Sequence, residues 1–180
     1  NSSKWGKVYT ADTYSGSKPL EIANVFKAEL MEPVTVVETF NPIEVAPIEA
    51  EKKENKAYIY KIPQNIAGTL RIKANAPKGT EIIIYYNEFP ERVNGGYRGQ
   101  NGTDKYVFSG NGVEIVEFDL VYHGFQYITI EGLDNPLPFE NIEALAFSTL
   151  DKGVSTFESS NSEMNQFVKN LSWTLRSNFV

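Results

Sequence analysis

Tyr58-Ile-Tyr-Lys-Ile62, Leu70-Arg-Ile-Lys-Ala74 and Glu81-Ile-Ile-Ile-Tyr-Tyr86 decide the fold. The first two alternate apolar and polar residues, which places the apolar side chains on one face of a strand. The third is almost continuously apolar and suits a central strand. Pro77-Lys78-Gly79, just before it, is a turn signal. On the N-terminal side, Val34–Phe40 and Ile43–Ile48 read as strands that Pro42 and Pro47 make bent or edge-like. The polar stretch Glu49–Lys56 then forms a hairpin-like excursion. On the C-terminal side, Lys105–Phe108, Ile115–Val121, Gln126–Glu131, Ile142–Ser148 and Val154–Phe157 bring the expectation to about ten strands. Short strands with turn signals every ~8–12 residues indicate an antiparallel β-sandwich or jelly roll. The expected sandwich spans 34–157, with Leu70, Ile72, Ile83, Tyr85, Phe118, Ile128, Ile130 and Phe147 inside.

The flanks differ. Residues 1–33 mix Gly6, Gly16, Pro19 and Pro33 with short apolar groups and hold no sustained period; they read as a linker or the tail of a preceding domain. After 157 the period changes to helical. Ser160-Asn-Ser-Glu163 has the spacing of a capping box, in which two side chains satisfy free backbone N–H groups. Met164, Phe167, Val168, Leu171 and Leu175 then recur on one helical face. Residues 158–180 are thus expected to be a capped helix entering a further domain, with self-association through the stripe where that domain is missing. Neither a start Met and signal pattern at Asn1 nor a helix stop at Val180 is visible, so the chain reads as a piece of a longer one.

Composition narrows the function classes. The chain has 180 residues, a formal charge of −6 and no cluster of Lys or Arg, which argues against a nucleic-acid surface. It has no cysteine, so thiolate metal sites, thiol catalysis and disulfides are excluded, and compartment stays open between periplasm and cytoplasm. No stretch approaches the ~18–20 apolar residues of a helical membrane span. No cofactor or metal is expected.

Candidate reactive groups are few. His123, in Tyr122-His-Gly-Phe-Gln-Tyr127, is the only histidine, too little for a zinc site, and it reads as a structural residue at a strand turn. Glu114, Glu117 and Asp119 read as solvent-facing, and Glu88 as a buried hydrogen-bonding carboxylate. Phe89–Thr103 is a long loop with Gly95, Gly96, Gly99 and Gly102; its Tyr97 and Arg98 are the candidate sugar contacts. It does not lead from a strand into a helix, so a phosphate-cradle reading fails. Asn101-Gly-Thr103 and Asn170-Leu-Ser172 match the glycosylation triplet, a pattern common by chance.

Three stretches resemble the bacterial α-L-rhamnosidase family, in the family's order. Tyr60-Lys-Ile-Pro-Gln-Asn-Ile-Ala-Gly68 is similar to its Tyr-Asp-Phe-Gly-Gln-Asn-x-x-Gly-Trp segment, departing at Lys61, Ile62, Pro63 and Thr69. Tyr122-His-Gly-Phe-Gln-Tyr127 is similar to a second, with Gln126 where the family usually has Arg. Phe157-Glu-Ser-Ser-Asn161, Asn165 and Trp173-Thr-Leu-Arg-Ser-Asn-Phe179 form the third and most specific; Glu32–Val34 and Pro77–Gly79 also agree. The resemblance covers about 28–180. It implies accessory β-sandwiches ahead of an α/α toroid, and inverting hydrolysis of terminal α-L-rhamnose by two carboxylates beyond the Ser-Asn-Phe tail. No catalytic residue is therefore expected within this chain. The partners it implies are the catalytic α/α domain of the same chain and a rhamnose-containing carbohydrate. The alternative is an autonomous carbohydrate-binding module, which would need exposed aromatics or a calcium site.

Overall fold

The two alternating stretches form one strand. The computed structural model describes residues 32–90, 102–150 and 156–180, and in it Ala57–Asn75 runs as β3 for 19 residues. The other elements are β1 (Thr35–Phe40), β2 (Glu44–Ile48), β4 (Glu81–Asn87), β5 (Thr103–Val107), β6 (Val113–Glu117), β7 (His123–Glu131), β8 (Ile142–Ser148) and α1 (Ser162–Asn178). Every strand pairing among the described residues is antiparallel.

β3 changes partners along its length. Its first half lies between β2 and β7, with Tyr60 opposite Val45 and Ile128. Its second half lies between β8 and β6, with Ile72 opposite Ile142 and Val116. The ladder to β7 shifts register between Lys61 and Ile66. Pro63 sits in that gap and has no N–H to give a ladder, so the chain bulges there without reversing. A strand that bends between two sets of neighbours makes the corner of a sandwich. The expected pair of strands is therefore corrected to one, and the described residues hold eight strands. Of the expected strand Val154–Phe157, residues 154 and 155 lie outside the described residues, and Thr156 and Phe157 are not in a strand.

The two halves of β3 face a common core. Tyr60, Ile62, Leu70 and Ile72 of β3 meet Ile82, Ile84 and Tyr86 of β4, Phe125, Ile128 and Ile130 of β7, and Ile142 of β8. Each such side chain, fully removed from water, contributes about 1.5–3 kcal/mol. Ile83 and Tyr85 are also buried, but on the opposite face of β4 from Ile82, Ile84 and Tyr86, and the Tyr85 hydroxyl reaches Glu51 of the β2–β3 loop at 3.4 Å. Phe118 and Phe147, expected inside, are only half-buried. β3 crosses β8 so closely at Gly68 that a Cβ there would collide with the carbonyl oxygen of Leu145.

Residues Met31–Val180 form one compact unit, and α1 lies against β3 and β8. Its N-cap is Asn161, whose side-chain oxygen accepts from Glu163 N at 2.9 Å and Met164 N at 3.2 Å. This corrects the capping box expected at Ser160: Asn161, one residue nearer the helix, reaches both amides with a single carbonyl.

Candidate functional site

The end of the sheet where β4 finishes and β5 and β7 begin carries a buried polar cluster. The Tyr86 and His123 rings stack with centroids 3.9 Å apart, and Phe125 meets Tyr86 edge-on at 5.2 Å. The Tyr86 hydroxyl donates to Asp104 Oδ2 at 2.8 Å, and His123 Nε2 lies 3.0 Å from the same oxygen. Burial first, and then the negative charge of Asp104, push the Tyr86 phenol well above its ordinary acidity range. Gly102, at φ +113, lies against the imidazole where any Cβ would strike it. The His123 and Asp104 side chains keep only 7% and 12% of their exposure, and the cluster ties three strands together. This agrees with His123 as a structural residue.

The β2–β3 loop is held by a second buried carboxylate. Glu131, at the end of β7, has no exposed surface and accepts from Glu51 N at 2.9 Å, Lys52 N at 3.2 Å and Asn55 Nδ2 at 2.9 Å. Gly132 N adds a bond to Lys56 O at 3.0 Å, and Lys52 pairs with Glu81 at 2.7 Å. Nothing in the local sequence marks Glu131, since its donors stand more than seventy residues earlier.

Tyr97 and Arg98 lie outside the described residues. Glu88 is exposed, correcting the buried role expected of it, because β4 ends at Asn87 and the next residue leaves the sheet. Glu117 faces outward and binds Arg71 at 2.7 Å. Glu114 anchors the β5–β6 turn by accepting from Ser109 N, Gly110 N and the Tyr106 hydroxyl. Glycoside hydrolysis needs one carboxyl held protonated. Glu81 and Glu114 move the other way: the Lys52 bond lowers Glu81, and at Glu114 desolvation is outweighed by the donors from Ser109, Tyr106 and Gly110. Among the described residues no group of three or more His, Asp or Glu could hold a metal ion. No described helix is long and apolar enough to cross a membrane.

The third motif of the sequence docks α1. Trp173 packs on the core with its ring 5.7 Å from that of Phe40, and the Arg176 guanidinium lies 4.9 Å over the indole. Arg176 also reaches Glu38 of β1 at 3.6 Å. The helix end is fastened to the end of β8, since Ser148 Oγ donates to Arg176 O and Thr149 N donates to Phe179 O. Asn165 exchanges bonds with Ser159, accepting from its N–H and donating to its carbonyl, both at 2.9 Å. Met164, Phe167, Leu171 and Leu175 occupy a different face and remain exposed.

These elements define an antiparallel β-sandwich with one helix docked on its surface. Residues 51–148, just over half of the chain, match the bacterial alpha-L-rhamnosidase concanavalin-like domain, and the chain belongs to that family. An alpha-L-rhamnosidase of Formosa agariphila is 27% identical over 136 residues, which cover 71% of this chain and 14% of that protein. One from Streptomyces avermitilis is 24% identical over 127 residues, covering 68% of this chain and 12% of its own length. Among solved structures, the alpha-L-rhamnosidase from Dictyoglumus thermophilum superimposes with a TM-score of 0.73 at 28% identity, over 84% of this chain and 17% of that one. That of Aspergillus terreus superimposes with a TM-score of 0.68, also at 28% identity, over 82% and 17%. The chain thus spans about one seventh of the curated relatives it matches.

Proposed function

We propose that this domain is the non-catalytic β-sandwich scaffold of a longer glycoside hydrolase that removes terminal α-L-rhamnose from glycosides or polysaccharides. The relatives are alpha-L-rhamnosidases in which the matched region is a small part of the chain, which supports the reading. The observation that carries it is the two-faced helix. Trp173 and Arg176 seat α1 on the sandwich, while Phe167, at 62% exposure, and Leu171 face away from it. We assign that outer face to the catalytic α/α domain of the same chain, with residues 158–180 as the join. Such a scaffold fixes where the catalytic domain begins and lends it no reacting carboxylate. The test is hydrolysis of an aryl α-L-rhamnoside. This chain alone should release no more aryl alcohol than a heat-killed control, and the longer polypeptide should turn over. Turnover by the isolated chain would overturn the scaffold reading.

A further inference from the structure

The loop clamped by Glu131 also lines a groove of about 480 Å³. That volume lies within the ~300–1,000 Å³ of clefts that hold small molecules. Its apolar wall is Pro47, Ile48 and Tyr58, and its polar rim is Asn55, Lys53 and Lys56 together with Glu49. The wall is preorganised. The Tyr58 hydroxyl and Lys56 Nζ both donate to Asp134 O, at 2.9 and 3.2 Å, and Asn55 Nδ2 is held by Glu131. Neither Lys53 nor Lys56 forms an ion pair among the described residues, whereas Lys52 and Lys61 are spent on Glu81 and Glu44. The side chains lining the groove thus include two ammonium groups and one carboxylate, that of Glu49.

We infer that the groove binds a sugar carboxylate, a single uronate-type pyranose. The ring's apolar face suits Tyr58 and Pro47, its hydroxyls suit Asn55, and its carboxylate suits the Lys53 and Lys56 ammonium groups through charge-assisted hydrogen bonds. A bare anion would leave the apolar wall unused, and a neutral sugar would leave the lysines unused. The proposal draws on the groove alone and not on the two-faced helix, so its failure leaves the proposed scaffold role untouched.

The test is an NMR titration of the isotope-labelled chain with D-glucuronate, D-glucose, L-rhamnose and acetate. Glucuronate should shift amides between residues 47 and 58 saturably, with at least about tenfold tighter binding than the other three, the gain expected of one well-placed charge contact. Lys53→Gln should weaken it by about tenfold with the melting temperature unchanged, because the side chain is exposed and unpaired among the described residues. Lys78→Gln, on the Pro77–Gly79 turn, should leave it unaltered. A tri-uronide binding more tightly than the monomer would identify a polysaccharide chain as the source, and equal affinity the free sugar acid. Equal response to acetate or to glucose, no saturable shift, or shifts centred elsewhere would each overturn the assignment.

Discussion

Thr69 and Thr129 are each buried with a hydroxyl that finds no hydrogen-bond partner among the described residues. An unsatisfied buried polar group costs about 1–3 kcal/mol. Valine has nearly the same shape without that cost, so Thr69→Val should raise stability by about 1 kcal/mol in denaturant melts. A loss of stability would show that the hydroxyl has a partner. Tyr60 is the contrary case, buried but satisfied: its hydroxyl accepts from Leu137 N at 2.6 Å. Burial lifts its phenol from 10.0 to about 12. The folded value is the higher one, so the contribution is complete below the unfolded value and disappears as pH rises through the folded one. That shift corresponds to about 2–3 kcal/mol lost across the alkaline window. Tyr60→Phe should cost about 1 kcal/mol near neutrality, for the lost hydrogen bond, and then decline less steeply than the parent above pH ~10. Parallel declines in melts at several alkaline pH values would refute the assignment to Tyr60.

At the level of elements, β3 carries the architecture, and its Gly68 shows how. Where β3 leaves β7 and joins β8, the backbones approach until the carbonyl of Leu145 fills the space of a Cβ. Gly68→Ala should therefore cost about 3 kcal/mol or more by forcing the strands apart. A variant that melts like the parent would mean the crossing is looser than described. The period-two pattern made both halves of β3 legible in the sequence, and with them Leu70, Ile72, Ile128 and Ile130 of the core. The corner was not legible, because a Pro within an apolar run reads equally as a turn or a bulge and only the partner strands decide between them. β4 hid its inward face for a related reason: with both faces covered, Ile82, Ile84 and Tyr86 cannot be told from Ile83 and Tyr85 by polarity. The candidate site was less legible still. His123 was visible as a lone histidine, but Asp104 stands nineteen positions earlier and nothing between them signals the pairing. Asn165, Trp173 and Arg176 could be quoted as motif residues, yet their work in fastening α1 to Ser159, Phe40 and Glu38 depends on contacts made only in the folded molecule.

For the whole molecule, the two faces of α1 make separable demands. The inner face belongs to the sandwich, since Trp173 and Arg176 close over Phe40 and Glu38 and the backbone at Phe179 is tied to Thr149. Trp173→Ala removes a half-buried ring from that contact and should cost about 2 kcal/mol, below the ~3–5 kcal/mol of a fully buried aromatic. The outer face does nothing for the sandwich: Met164, Phe167, Leu171 and Leu175 each keep about half of their exposure or more. Four neighbouring apolar side chains on one face favour association with another surface, and we propose a second copy as that surface for the isolated chain. Light scattering on this chain should therefore show concentration-dependent dimers. The double variant Phe167→Ser, Leu171→Ser should be monomeric, with the melting temperature of the parent monomer. Within the longer polypeptide the same double variant should lower rhamnosidase activity or its thermal tolerance, because there the stripe is assigned to the catalytic domain. Trp173→Ala should give the opposite pattern in the isolated chain, a lower melting temperature with the dimer weakened only as the helix detaches. If the outer-face double variant instead unfolds the sandwich, the stripe is part of the sandwich's own core and the join at 158–180 is misplaced.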